Sequence, residues 1–413
     1  MSSHDEYAGG ASSRYLLLGA TVFLSTFGLV MIYSASSISA LVREGSSEHF
    51  MLRQAMFLLL GVLVCGLTAR LDYRLFRERW AQNAWYGSVA LLVLTIGLGV
   101  VRGGAKRWIP LGIFNLQPSE LAKIACVLLA SAVVYDWQRG KMDSKQLLMR
   151  LAVVAGIPSL LIIMQPDLGT TLSLVVAVAF VLFLGGIELK WVGVTGVAVI
   201  ALAGIGVLLE PYRMKRFVGY LDPWADPLHK GYQAIQALMA FGTGGIQGVG
   251  LGLSRQKWFY LPEAHTDFIF AMVGEELGLI GTLAVLVAFI VLLYAGVRIA
   301  LGSRDRYGRL VAGSLTGMLG FQALLNMGAV TGLIPVTGKP LPFVSYGGSS
   351  MLVTMICVGL ILSVSQYGAK APREVRVRPR NEELRRESGA ERGRDGRPRV
   401  SRADGGRRTR RRA

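Results

Sequence analysis

Apolar residues fall along this chain in ten long runs, each close to the roughly 20 residues needed to cross a bilayer. The runs are Tyr15–Tyr33, Leu52–Thr68, Ala84–Val101, Leu121–Trp137, Leu148–Met164, Gly169–Ile187, Trp191–Leu209, Phe268–Val297, Leu310–Gly332 and Ser345–Ser365. The pattern predicts an all-α polytopic membrane protein with ten transmembrane helices. A large loop, residues 210–267, separates the seventh helix from the eighth. The eighth run is long enough to tilt or to extend beyond the hydrocarbon. Residues 1–14 read as a short polar N-terminus and 15–368 as one membrane domain. Residues 369–413 are rich in Arg, Gly, Pro, Ser and Glu and too poor in apolar residues to bury a core, so disorder is expected there. No cleavable signal is read, because residues 1–14 are partly acidic and the first run is long enough to span.

Composition agrees with the pattern: 52% of the 413 residues are hydrophobic. The formal charge of +18 is that of many nucleic-acid binders, but its placement gives it another meaning. Membrane proteins concentrate Lys and Arg in cytoplasmic loops. Arg70, Arg74, Arg77 and Arg79 follow the second run. Arg139, Lys141, Lys145 and Arg150 follow the fourth, and Arg298, Arg304, Arg306 and Arg309 the eighth. With ten spans, all three loops share one side with both termini, which makes that side cytoplasmic. Cys65, Cys126 and Cys357 stand singly inside apolar runs, with neither disulfide nor metal-ligand spacing.

The remaining side receives the unusual residues. Lys106, Arg107 and Trp108 put two cations beside a large aromatic, and with Arg213 and Arg216 they run against the charge rule. Retained cations on that side suit an anionic ligand such as a pyrophosphate; plain loop charge is the other reading. Glu120 and Lys123 stand three residues apart on a predicted helix and share a face. They are read equally as an internal ion pair or as ligand contacts. Asp167, between two apolar runs, is interfacial or in a cavity. The Gly-rich segment FGTGGIQGVGLGLSRQK lacks the dinucleotide-binding pattern and is free to bring its backbone close to a substrate.

Lys257–Glu276 holds Glu263, His265, Asp267, Glu275 and Glu276 amid long apolar segments, where acidic groups are costly unless they face water, a partner or a cavity. Asp267 is the candidate general base, because it lies where the large loop enters the membrane. The competing reading makes Thr266 or Asp267 a helix cap, and His265 is read equally as a structural hydrogen-bond donor. Lys257, His265 and Ser345, the last in the Pro- and Gly-rich loop before the tenth run, complete the substrate-binding candidates. No zinc-protease motif and no nucleophile elbow is present.

The strings GGAKRWI, QPSELAK, QPDLGT, LPEAHTDFIFAMVGEELG and IPVTGKPLPFVSYGGSS, in this order, resemble the SEDS family of shape, elongation, division and sporulation proteins. The resemblance covers about Tyr15 to Gly368 and is nearer the division branch than the elongation branch, with the sporulation branch a close competitor. It implies a ten-span peptidoglycan glycosyltransferase that polymerises lipid II on the outer face of the cytoplasmic membrane. The implied partners are a class B penicillin-binding protein and other division proteins, with no nucleic acid. The family's essential aspartate falls on Asp267, its loop tryptophan on Trp108, and its paired acid and lysine on Glu120 and Lys123. No cofactor is implied with certainty; a divalent cation such as Mg2+ would share the pyrophosphate charge, but no site for it is read. Two other classes remain. A lipid II transporter predicts paired half-helices or internal repeats, and no clear repeat is found. A non-catalytic scaffold leaves the acid and the cations without purpose.

Overall fold

The computed structural model describes residues 3–188, except 78, 103, 104, 113 and 114, and residues 219–368, except 230. Only scattered positions are described from 189 to 218. The helices are α1 (Ser3–Glu44), α2 (His49–Arg70), α3 (Arg79–Leu98), α4 (Pro118–Gln138), α5 (Ser144–Met164) and α6 (Leu168–Leu184). They continue with α7 (Tyr232–Gly244), α8 (Ile269–Gly302), α9 (Arg306–Val330) and α10 (Gly348–Tyr367). Eight of these are long and apolar enough to cross a bilayer, and α6 is a shorter apolar helix. The chain is therefore a helical, multi-pass membrane protein. The expected seventh span, Trp191–Leu209, lies outside the described residues but for a few positions, and the tail 369–413 lies wholly outside them.

Several helices overrun the apolar runs that announced them, whereas α3, α6 and α9 stop two or three residues short of the ends of theirs. α1 ends at Glu44 rather than near Tyr33, because hydropathy marks the lipid-embedded stretch while backbone hydrogen bonding continues past it. Starts follow local chemistry. Pro118 opens α4, where its missing N–H costs nothing. Asp143, Asp167 and Asp305 cap α5, α6 and α9 by accepting from the N–H groups of Gln146, Thr170 and Tyr307.

Helix α4 is the central post: it is buried from Pro118 to Tyr135 except at Leu121. It packs against α3, α5, α6 and α9, while α1 packs on α8 and α2 on α10. By contrast, α2 buries only Gln54, Phe57, Gly61 and Cys65, so most of its surface is left to lipid. One element departs from the all-α expectation. The loop between α3 and α4 folds into a small antiparallel sheet in the order β1 (Val100–Arg102), β2 (Ala105–Pro110), β3 (Asn115–Leu116). Its Val, Ile and Trp residues suit a pleated, half-buried surface better than they suit a short helix.

The three basic loops meet at one end of the bundle. The Tyr73 hydroxyl donates to Asp305 at 2.8 Å, Arg306 donates to the Gln138 carbonyl at 3.4 Å, and Arg74 to that of Tyr367 at 3.3 Å. Arg14 reaches the Ser365 hydroxyl at 2.8 Å, so the start of α1 belongs to this end too. The opposite end gathers the small sheet, the α5–α6 turn, the turn before α8 and the loop before α10.

Candidate functional site

At that opposite end, the start of α6 holds a charged cluster. One Asp167 oxygen accepts from the Thr170 N–H at 3.1 Å; the other accepts from the Thr170 hydroxyl at 2.6 Å and the Gln117 amide at 3.0 Å. Lys339, from the loop before α10, brings its ammonium within 3.0 Å of the same carboxylate and 3.8 Å of Glu120, and also contacts the Thr170 hydroxyl. Glu120 is in turn paired with Lys123 at 2.8 Å. All four charged side chains are buried. Gly169 makes this possible: a Cβ there would lie 2.7 Å from the Lys339 stem and 3.1 Å from the Thr337 carbonyl. Burial alone would raise the Asp167 pKa, but Lys339, Arg107 and the Thr170 bonds outweigh it and hold the carboxyl well below the usual range. Arg107 is anchored as well, with its guanidinium on the carbonyls of Gln165, at 3.1 Å, and Pro166, where α5 ends.

Asp267 lies half-buried in the turn before α8. The N-cap position of that helix is Phe268, and no side chain caps it. Asp267 stands one residue before that position. Its carbonyl accepts from the Asn326 carboxamide at 2.8 Å, and the same nitrogen donates to the Lys339 carbonyl at 2.7 Å. One side chain of α9 thus ties the backbone of Asp267 to the residue whose ammonium anchors Asp167. Beside it, the His265 carbonyl accepts from the Tyr346 N–H at 3.0 Å. The His265 ring packs between Phe50, at 4.7 Å between centroids, and Tyr346, at 5.6 Å. Burial lowers its pKa and keeps the ring neutral at physiological pH.

Below Asp267, α8 is broken at Gly278, where φ is 65° and ψ −156°. The Gly-rich segment after α7 fills the break. Leu279 and Ile280 N–H groups donate to the carbonyls of Gly245 and Ile246, while Val249 and Gly250 donate to those of Glu275 and Glu276. These are the groups an unbroken helix would pair with one another. The segment therefore brings its backbone close to α8. Glu275 clamps it further, accepting from Ser254 Oγ, the Arg255 N–H at 2.9 Å and the Gln256 N–H at 3.4 Å. Glu276 accepts instead from Ser34 of α1 at 2.6 Å.

The other candidates divide. Trp108 is half-buried on β2 opposite Val100, and Lys106 is exposed opposite Val101. Lys257 caps the Gly252 carbonyl. Ser345 accepts from the Leu341 N–H at 2.8 Å within its own loop. Arg213 and Arg216 lie outside the described residues. Reading the sequence missed Lys339, Asn326, Gln117 and Thr170. Only Asn326 carried a signal, as a polar residue inside an apolar run. Among the described residues no three His, Cys, Asp or Glu side chains come together to hold a metal ion.

A family model described as "Cell cycle protein", named for FtsW, RodA and SpoVE, matches residues 15–370. The chain belongs to this family. Stage V sporulation protein E of Bacillus subtilis is 42% identical over 86% of this chain and 98% of its own. The probable peptidoglycan glycosyltransferase FtsW of Geobacter sulfurreducens is 41% identical over 86% and 96%. Identity thus does not separate the division branch from the sporulation branch. Among solved structures, a chain of a peptidoglycan synthase complex that coordinates polymerization and crosslinking superposes with a TM-score of 0.70 at 30% identity, over 86% of this chain and 98% of that one. The rod shape determining protein RodA of Thermus thermophilus gives 0.64 at 28%, over 85% and 96%. The family fold therefore spans the membrane body, including the Asp167–Lys339 and Asp267 regions.

Proposed function

We propose that this protein is a peptidoglycan glycosyltransferase that polymerises lipid II at the outer face of the cytoplasmic membrane, with Asp267 as the general base. The observation that carries the assignment is the placement of Asp267. It stands half-buried at the head of a broken helix, outside the cap position, with its backbone fixed through Asn326 to a buried charge cluster. A base must be held within hydrogen-bond reach of the proton that it takes, and a fixed backbone supplies that precision.

In the reaction, the Asp267 carboxylate takes the proton from the acceptor GlcNAc 4-hydroxyl. The freed oxygen attacks the donor MurNAc anomeric carbon from the face opposite the polyprenyl pyrophosphate. The C–O bond to the pyrophosphate breaks, and that group leaves with the electron pair. It needs no protein acid once cations neutralise it; we assign this to Lys106, which is exposed on β2, because Arg107 donates to backbone carbonyls. Trp108 offers an aromatic face to a sugar. Glu120, Lys123, Asp167 and Lys339 act as the internal support of the site. The expected partner is a class B penicillin-binding protein, and septal synthesis with other division proteins is the setting that the family relatives named FtsW support.

The test is polymer formation by purified protein. Asp267→Asn keeps the shape and hydrogen-bonding capacity but cannot take the proton at neutral pH. The rate should fall by about 10²–10⁴-fold, with folding unchanged. A variant polymerising near the parent rate would sink the assignment. The break in α8 is the one feature that a lipid II transporter would also use; failure of the parent protein to make polymer would favour that reading.

A further inference from the structure

No charged residue occurs from Gly231 to Ser254, although the second half of this run is neither helix nor strand. The segment Gly245–Ser254 intersperses glycines at positive φ, namely Gly245, Gly248, Gly250 and Gly252, with exposed residues that are apolar except for Gln247. Ile246 and Leu253 are each 68% exposed and Leu251 53%. Such a surface is costly in water.

Its place along α8 says what covers it. Beyond the break, Leu279–Gly302 is about 24 residues, or roughly 36 Å at 1.5 Å per residue, a little more than the roughly 30 Å hydrocarbon core. The break therefore lies at the edge of the hydrocarbon. Hydrogen bonds to Glu275, Glu276, Leu279 and Ile280 hold the segment at that depth. Leu279 and Ile280 also begin an exposed apolar stripe that continues through Leu283, Val287 and Ile290. Ile246 and Leu251 extend that lipid-facing surface. Non-helical backbone is tolerated beside lipid only when its polar groups are satisfied within the protein. Here the Val249 and Gly250 N–H groups and the Gly245 and Ile246 carbonyls exchange bonds with the broken helix, and Gly248 and Leu253 donate to the Gly244 and Gly250 carbonyls at 2.8 and 3.1 Å.

We propose that Gly245–Ser254 dips into the bilayer leaflet at the Asp267 end of the bundle, with Ile246, Val249, Leu251 and Leu253 among the lipid chains. Through the clamped half-helix Ile269–Leu277, this sets the height of Asp267 above the membrane, a consequence that rests on the catalytic reading of Asp267. A lipid-linked substrate presents its reacting bond at a height fixed by its own anchor, so an equally anchored base meets it in register.

Spin labels on Ile246→Cys and Leu251→Cys, in a chain whose Cys65, Cys126 and Cys357 are replaced, test the placement in phosphatidylethanolamine–phosphatidylglycerol bilayers. Ile290→Cys serves as the lipid reference and Lys141→Cys as the aqueous one. The expected result is collision with oxygen far exceeding collision with a soluble nickel chelate, as at 290. Nickel accessibility like that at 141 would overturn the proposal, as would inaccessibility to both reagents, which would mean protein covers the face. The height-setting half is read separately. Leu251→Lys, shown by thermal unfolding to be folded, should polymerise membrane-embedded substrate several-fold more slowly, and an unchanged rate overturns that half. The spin-label result does not depend on activity, whereas the catalytic reading of Asp267 is tested by Asp267→Asn, so failure of one is distinguishable from failure of the other.

Discussion

Asp167 and Lys339 are far apart in sequence and 3.0 Å apart in space. Removing one partner of a buried ion pair leaves the other charge uncompensated, at a cost of about 3–5 kcal/mol. Asp167→Asn should therefore lower the melting temperature markedly in detergent at pH 7, while Lys123→Met, Glu120→Gln together should cost less than either single change. Because the Asp167 pKa is depressed in the folded state, its contribution is present above the ordinary carboxylate pKa of about 3.9 and is lost as pH falls through the lower folded value. The gap between parent and Asp167→Asn should stay constant from pH 8 to 5 and close only in strong acid; a gap that closes near neutrality would refute the pairing. Asp167 was legible in the sequence as an acid between apolar runs. Lys339 was not singled out, because its loop is dense in Pro and Gly and nothing local reveals which distant carboxylate it meets. Glu120 and Lys123 were legible as a pair through their helical spacing alone, and the structure shows the pair.

The eighth run read as one long span, and the element found there is two half-helices. Ile269–Glu276 is buried on all sides, whereas Leu279, Ile280 and Leu283 beyond the break are exposed. Hydropathy registers neither difference, since both halves are apolar and a single glycine within a helical pattern is ordinarily tolerated. What makes the break is a partner segment some thirty residues upstream whose glycines admit close approach. A Cβ at Gly248, where φ is 81°, would lie 2.2 Å from the Glu276 carbonyl. Gly248→Ala should cost at least the roughly 1–2 kcal/mol of a left-handed non-glycine residue, together with the displacement of the segment. Thermal unfolding and lipid II polymerisation should both suffer, whereas Gly242→Ala, with open space around its Cβ position, should be tolerated. Equal tolerance at both positions would show that the segment is not locked to α8.

On the scale of the molecule, the alternation of apolar runs and basic loops was the most legible feature, because lipid imposes it along the whole chain. The structure brings the three basic loops to one end and Asp267, Asp167 and the small sheet to the other. The sheet and the broken helix were not legible, since both depend on contacts between separate segments rather than on periodicity. Which end faces the cytoplasm decides whether the proposed chemistry has access to the cell wall, and the Lys and Arg excess is the reason to expect the basic-loop end there. Ser46, in the α1–α2 connection, and Lys141, between α4 and α5, are both exposed and lie at opposite ends. With Cys65, Cys126 and Cys357 replaced, a membrane-impermeant thiol reagent should label Ser46→Cys in intact cells and leave Lys141→Cys untouched until the membrane is opened. The reverse pattern would put Asp267 on the cytoplasmic side, where a polymerase of exported lipid-linked precursors has no substrate, and would remove the proposed function however well the site itself is built.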